Sequence, residues 1–186
     1  KTGLGSNLKL AVDGLSNLYI LDPDNKQVVE LSNIGGELGS ISETDITGFN
    51  TPSALAVDAS GNLFVADGSN LDEIAAGSTT IAPVSGIGIS GATGLAVDAS
   101  GAVYVSMTGG TIRIPNESGT LNQTDATTIA ANVTAPTSVA LDTQDNVYVS
   151  DGTALNVNAT SASTSYDFGT QATPTGTTSQ TFTLMD

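Results

Sequence analysis

The 186-residue chain has no cysteine, no histidine, and only 4 Lys and Arg residues in total. Without Cys there can be no disulfides, thiolate nucleophiles or sulfur metal sites. Without His, the usual base of a nucleophilic triad and the commonest zinc ligand are both missing. Nucleic acids and anionic membrane surfaces are bound through clustered Lys and Arg, which this chain cannot supply. No apolar run approaches the roughly 18 residues of a membrane-crossing helix. Charged residues are only 12%, yet 19 acidic side chains against 4 basic ones leave a formal charge of −15. In so sparsely charged a chain, that balance reads as solubility of a secreted protein rather than as an acidic binding surface. The chain begins with Lys1 rather than Met and shows no signal segment, so it reads as processed or partial.

What the sequence does contain is a repeat. Gly94-Leu95-Ala96-Val97-Asp98-Ala99-Ser100-Gly101-Ala102-Val103-Tyr104-Val105-Ser106 returns from Ala54 to Ala66, from Lys9 to Leu21 and from Ser138 to Ser150. The aligned aspartates, Asp13, Asp58, Asp98 and Asp142, lie 45, 40 and 44 residues apart. Each copy is a short apolar run, a polar turn, and a second run rich in Val, Tyr, Phe and Ile, the pattern of two paired strands. In Asp58-Ala59-Ser60-Gly61-Asn62, Asp stands where a type I turn wants a side-chain acceptor, and Gly where a following bulge wants positive φ. Copy four has Asp145 at the glycine position, which Asp tolerates. Copy one has Ser16 there, so its turn is expected to differ, with Gly14 as the flexible residue. The aligned aspartates therefore read as turn formers rather than ligands. The runs are apolar on both faces, as in strands buried between two layers. A period of about 40–50 residues with about four short strands is that of a β-propeller blade, and no single copy would be stable alone.

The second copy, from Pro52 through Val57-Asp58, Gly61-Asn62 and Val65-Ala66-Asp67 to Asn70 and Ile74, resembles the NHL repeat of secreted bacterial propellers. Copy four keeps Pro136, Asp142, Asn146, Val147-Tyr148-Val149 and Asp151, and copy one keeps Asp13, Asn17, Tyr19, Asp22 and Asn25. Copy three departs, with Met107 in place of the second Asp and Gly109-Gly110 in place of the Asn turn. The tail from Ser165 to Thr170 and from Thr175 to Leu184 resembles the opening of a bacterial immunoglobulin-like domain, too short here for a sandwich of ~100 residues. The resemblance implies an extracellular, bacterial setting, and it covers about residues 8–160.

The expected fold is all-β: a propeller over residues 1–170, in repeats 8–49, 52–90, 92–134 and 136–170. Residues 171–186 are left as a C-terminal strand or linker. Outer strands are expected at 27–31 and within 38–49, at 72–76 and 79–84, at 111–114 and 127–131, and at 154–158 and 166–168. Residues 115–125 form a polar surface loop. Four copies suit a four-bladed ring, the small end of the propeller range; they also suit part of a larger ring completed elsewhere. The stretch from Ser179 to Leu184 can pair with an exposed sheet edge, its own or a neighbour's.

No catalytic, cofactor-binding or metal residue is assigned. Asp22-Pro23-Asp24-Asn25 and the group Asp67, Asp72 and Glu73 are oxygen-rich, but far from a 12-residue calcium loop. Calcium-bearing propeller hydrolases, which share the architecture, would need Glu at the inner-strand ends of several copies. Glu30, Glu37, Glu43 and Glu117 instead fall in outer or loop regions. The leading expectation is a secreted, non-catalytic structural or protein-interaction module. Its partner would be protein, by self-association through the strand from Ser179 to Leu184 into an extracellular fibre. The alternatives are a ligand-binding propeller using its loop face, near residues 115–125, and a calcium-dependent hydrolase or lyase.

Overall fold

The computed structural model describes residues 3–35, 37–84, 86–130, 133, 135–158 and 179–183. Among them each repeat becomes one antiparallel four-stranded sheet. The first contains β1 (Lys9–Val12), β2 (Leu18–Asp22), β3 (Gln27–Ile34) and β4 (Glu37–Thr47), in that order from inside out. The second contains β5 (Pro52–Val57), β6 (Leu63–Asp67), β7 (Asn70–Ile74) and β8 (Ala82–Pro83). The third starts with β9 (Ala92–Val97), β10 (Val103–Met107) and β11 (Gly110–Ile114). A hairpin of β12 (Asn116–Glu117) and β13 (Thr120–Leu121) and a 3-10 turn at Gln123–Asp125 then precede its outer strand β14 (Thr127–Thr128). The fourth contains β15 (Ser138–Leu141), β16 (Val147–Ser150), β17 (Ala154–Asn158) and β18 (Ser179–Thr183).

Several details differ from expectation. Residues 115–125 carry the β12–β13 hairpin rather than a bare loop, because Ser118 (φ 55°) and Gly119 (φ 87°) both turn left-handed, as a two-residue hairpin loop needs. The outer strand of the second sheet shrinks to two residues. The outer strand of the fourth sheet is Ser179–Thr183, which pairs with β17 of its own chain; residues 166–168, expected there, lie outside the described residues. The first-copy turn does not differ after all. Ser16 itself takes the left-handed conformation, φ 65°, where Gly61 has 90°, Gly101 82° and Asp145 60°.

The inner strands lie side by side, β1 against β5, β5 against β9, β9 against β15. Between the sheets run three apolar seams. Tyr19, Leu21 and Val28 meet Leu55, Leu63, Val65 and Ile74 between the first and second. Ala54, Ala56, Phe64 and Leu71 meet Leu95, Val103, Val105 and Ile114 between the second and third. Tyr104 and Ala102 meet Val139, Val147 and Val149 between the third and fourth. Each seam thus joins the trailing face of one sheet to the leading face of the next. Strand alternation decides which residue goes where. Among the described residues, no comparable packing joins β15 back to β1.

Candidate functional site

The four aspartates build the same turn four times, along one rim of the inner strands. The backbone closes it twice: Asp58 N–H donates to Asn62 C=O (3.0 Å) and Gly61 N–H to Asp58 C=O (3.1 Å). Asp58 Oδ1 accepts from the N–H groups of Ser60 (2.9 Å) and Asn62 (2.8 Å), and Oδ2 from Asn62 Nδ2 (2.7 Å). Asn62 Oδ1 in turn accepts from Ala76 N–H, tying the turn to the end of the third strand. Asp13 and Asn17 repeat this with Asn33, and Asp142 repeats the turn with Asn146. A tyrosine six residues on adds its hydroxyl to Asp13, Asp98 and Asp142. Their role as turn formers follows from the donors they satisfy.

The third copy is different. Ala102 replaces the asparagine, and Asp98 Oδ2 instead faces Arg113, whose Nη2 lies 3.4 Å away. Arg113 Nε donates to Tyr104 Oη (3.0 Å), and the guanidinium stands 5.8 Å from the ring centre. Burial pushes the Asp98 carboxyl up. Hydrogen bonds from Ser100 and Ala102 and the Arg113 charge outweigh it, holding the group below the usual carboxylate range. Beside this cluster, a cleft of about 420 Å³ opens between the turns of the third and fourth sheets, with Val97 and Leu141 against Asp98, Asp142 and Asp145. Arg113 escaped the sequence reading. Its signal was rarity, as one of four basic residues, together with the loss of the asparagine that the other copies carry.

A second set of carboxylates closes the loops that enter the sheets. Asp67 accepts from Asn50 and Thr51 N–H, and Asp22 accepts from Gly5 N–H (3.0 Å) and Asn25 Nδ2 (2.7 Å). Asp24 accepts from Ser6 through both N–H and hydroxyl. The Asp22–Asn25 turn is thus taken up by residues 5 and 6. No group of three or more acidic side chains able to hold a metal ion occurs among the described residues. Asp72 is buried, and its Oδ1 has no hydrogen-bond partner. Glu30 and Glu43 lie on the third and fourth strands of the first sheet, away from the inner rim.

The other notable surface is an edge. Leu10 (63% exposed) and Val12 (60%) on β1, with Leu15 (75%) in the following turn, leave their apolar side chains in solvent. Leu10 has the register of Leu55, Leu95 and Val139, which are 7%, 7% and 9% exposed. Farther out on the same face, Ile20 and Val29 are buried, so the open part is the inner strand and its turn.

No protein-family model matches the sequence, and no curated protein is significantly similar to it. Solved structures share the fold. A virginiamycin B lyase from Staphylococcus aureus superposes with a TM-score of 0.66 at 12% identity, over 99% of this chain and 58% of that one. A gluconolactonase from Xanthomonas campestris does so with 0.63 at 16%, over 81% and 57%. A chain of a nidogen/laminin complex gives 0.66 at 18%, over 81% and 59%. Across such neighbours the chain spans 47% to 70% of their length. These likenesses correct one expectation. A lactonase and a lyase are built on this architecture, so the absence of a familiar triad does not make the chain a non-enzyme. The chain is an all-β protein of β-propeller architecture.

Proposed function

We propose that this chain is a protein-interaction module, and that its recognition surface is the open leading face of the first sheet. The observation behind this reading is the exposure of Leu10 and Val12 at positions whose counterparts in the other three sheets are buried (Leu55, Leu95, Val139) or half-buried (Val57, Val97, Leu141). Monomeric proteins rarely leave a grouped apolar edge in water without a partner for it. Covering a Leu or Val side chain fully contributes about 1.5–3 kcal/mol, so three of them supply a useful docking increment without disulfide or metal. The proposed extracellular setting is in keeping with the cysteine-free, acidic composition.

The test is analytical ultracentrifugation of the wild-type chain against Leu10→Asp over a concentration series. Concentration-dependent association that the substitution weakens supports the reading. Identical monomer behaviour of both proteins would sink it. A second reading, small-ligand binding, is favoured by the cleft beside Asp98, Asp142 and Asp145. Soaking with cationic or polyhydroxylated fragments, followed by chemical-shift mapping, tests it. Shifts confined to other regions would discard that cleft.

A further inference from the structure

We propose that the cleft between the third and fourth sheets takes a protonated amine, with the Asp145 carboxylate as its counter-ion and Val97 and Leu141 as the wall for its hydrocarbon body. The inference rests on the small-ligand reading of that cleft and names the chemistry of the ligand. It is independent of the docking face on the first sheet.

The cleft stands where two aspartate-headed turns face each other. At the seam between the first and second sheets, the equivalent turns are in contact. A Cβ on Gly14 would lie 3.2 Å from Ala59 C=O, and one on Gly61 would lie 3.6 Å from Asp13 Oδ2 and 3.8 Å from Tyr19 Oη. Glycine at the left-handed seat of the turn thus leaves no side chain between the two sheets. In the fourth sheet that seat belongs to Asp145, at φ 60°. Here a carboxylate enters the space that Gly61 leaves to its neighbours, and the turns stand apart by a cleft of about 420 Å³. That volume is within the range of small-molecule sites.

The other two carboxylates of the cleft are already used by their own sheets. Asp98 Oδ1 accepts from Ser100 and Ala102, and Oδ2 from Tyr104 and Arg113. Asp142 Oδ1 accepts from the N–H groups of Gln144 and Asn146, and Oδ2 from Asn146 Nδ2 and the Tyr148 hydroxyl. Asp145 is half-buried, and among the described residues its side chain accepts no hydrogen bond and meets no basic group. Its oxygens line the cleft unused.

Charge and surface then select the ligand. Arg113 balances Asp98, and no Lys or Arg lines the cleft, so Asp142 and Asp145 leave it negative. A calcium ion would ask for 6–8 oxygen ligands, whereas Val97, Ala99 and Leu141 make much of this wall hydrocarbon. An ammonium group asks for less. One carboxylate with the Thr143 hydroxyl beside it can take its donors, while the alkyl body lies along Val97 and Leu141.

The test is a chemical-shift titration of the isotope-labelled chain with two probes of one shape, cyclohexylmethylammonium and the neutral cyclohexylmethanol. The amine should move the amides of residues 97–99 and 141–145 and bind about tenfold more tightly than the alcohol, the lower end for a charge-assisted hydrogen bond. Rising salt should erode that preference. Asp145→Gly restores the residue that Gly61 and Gly101 supply in the same turn, and Asp145→Asn keeps the shape at a φ that Asn tolerates. Both should bind the amine no better than the alcohol. If neither probe moves the cleft amides, this inference and the small-ligand reading fall together. Equal affinity for amine and alcohol in the wild type, or amine binding indifferent to both substitutions, overturns this inference alone.

Discussion

Asp72 offers the sharpest test of the packing described here. It stands opposite Val65 on the leading face of the second sheet. The same place is held by Val29 opposite Ile20 in the first sheet and Ile112 opposite Val105 in the third. An acid thus occupies a seat that is apolar in two of the other copies. It is 3% exposed, and Oδ1 has no partner. Burial, and then the nearby charge of Asp67, push its carboxyl up from the ordinary value. With the folded value above the unfolded one, this group's favourable contribution is complete below the unfolded pKa, near ~3.9. It is lost as pH rises through the folded value. Once that carboxyl ionises, the native protein carries a buried, under-bonded charge.

An unsatisfied buried polar group costs about 1–3 kcal/mol. Asp72→Val should recover about 2 kcal/mol, and Asp72→Asn about 1 kcal/mol, because an amide still needs partners. In a chain of this size, 1 kcal/mol moves the midpoint by about 2–4 °C, so Asp72→Val should melt about 4–8 °C higher at neutral pH. The assay is calorimetry of wild type and both variants across the acid range. The advantage of Asp72→Asn should shrink toward zero as pH falls below ~4, where the wild-type carboxyl is also neutral. A variant less stable than wild type at neutral pH would refute the reasoning, since it would mean that the charge is paired and needed. An advantage constant with pH would equally refute it, by tracing the gain to something other than ionisation.

Other outcomes follow from the same geometry. Asp98→Ala removes the acceptor for Ser100, Ala102 and Tyr104 and should cost about 2–3 kcal/mol by chemical denaturation. Because its carboxyl is held low in the fold, the wild-type contribution should be present above pH ~3.9 and fade as pH falls through the folded value, a slope that Asp98→Asn should lack. Ser16→Gly should stabilise by about 0.5–1 kcal/mol, since serine at φ 65° bears a left-handed penalty that glycine does not. Gly101→Ala should destabilise, because a Cβ there would meet Asn116 Nδ2 at 2.9 Å with φ at 82°. A chain ending before Ser179 loses the outer strand of the fourth sheet and should melt lower.

Much of the fold was legible because it is local. Apolar runs of three or four residues joined by a turn headed by Asp pair with themselves, and the 40-to-45-residue spacing of the aspartates repeats the unit. The aspartates were also legible as turn formers, since their donors lie two and four residues downstream. The Ser16 turn was misjudged because a glycine preference was weighted above the closure that Asp13 imposes through Leu15 and Asn17. Arg113 meeting Asp98 was not legible, because it depends on β10 pairing with β11 so that Tyr104 and Arg113 fall opposite each other.

The open edge was invisible for a deeper reason. Leu10 and Val12 look in sequence like every other leading pair, and nothing local distinguishes a first blade from an inner one. A repeat encodes which face meets the predecessor and which the successor; it does not encode how many members the ring has. That number emerges from curvature and from what stands at the two ends. An apolar leading pair left at 60% and 63% exposure is therefore not a flaw in the repeat. It is one half of a seam of the kind that Leu55 with Val57 and Leu95 with Val97 complete between the other sheets.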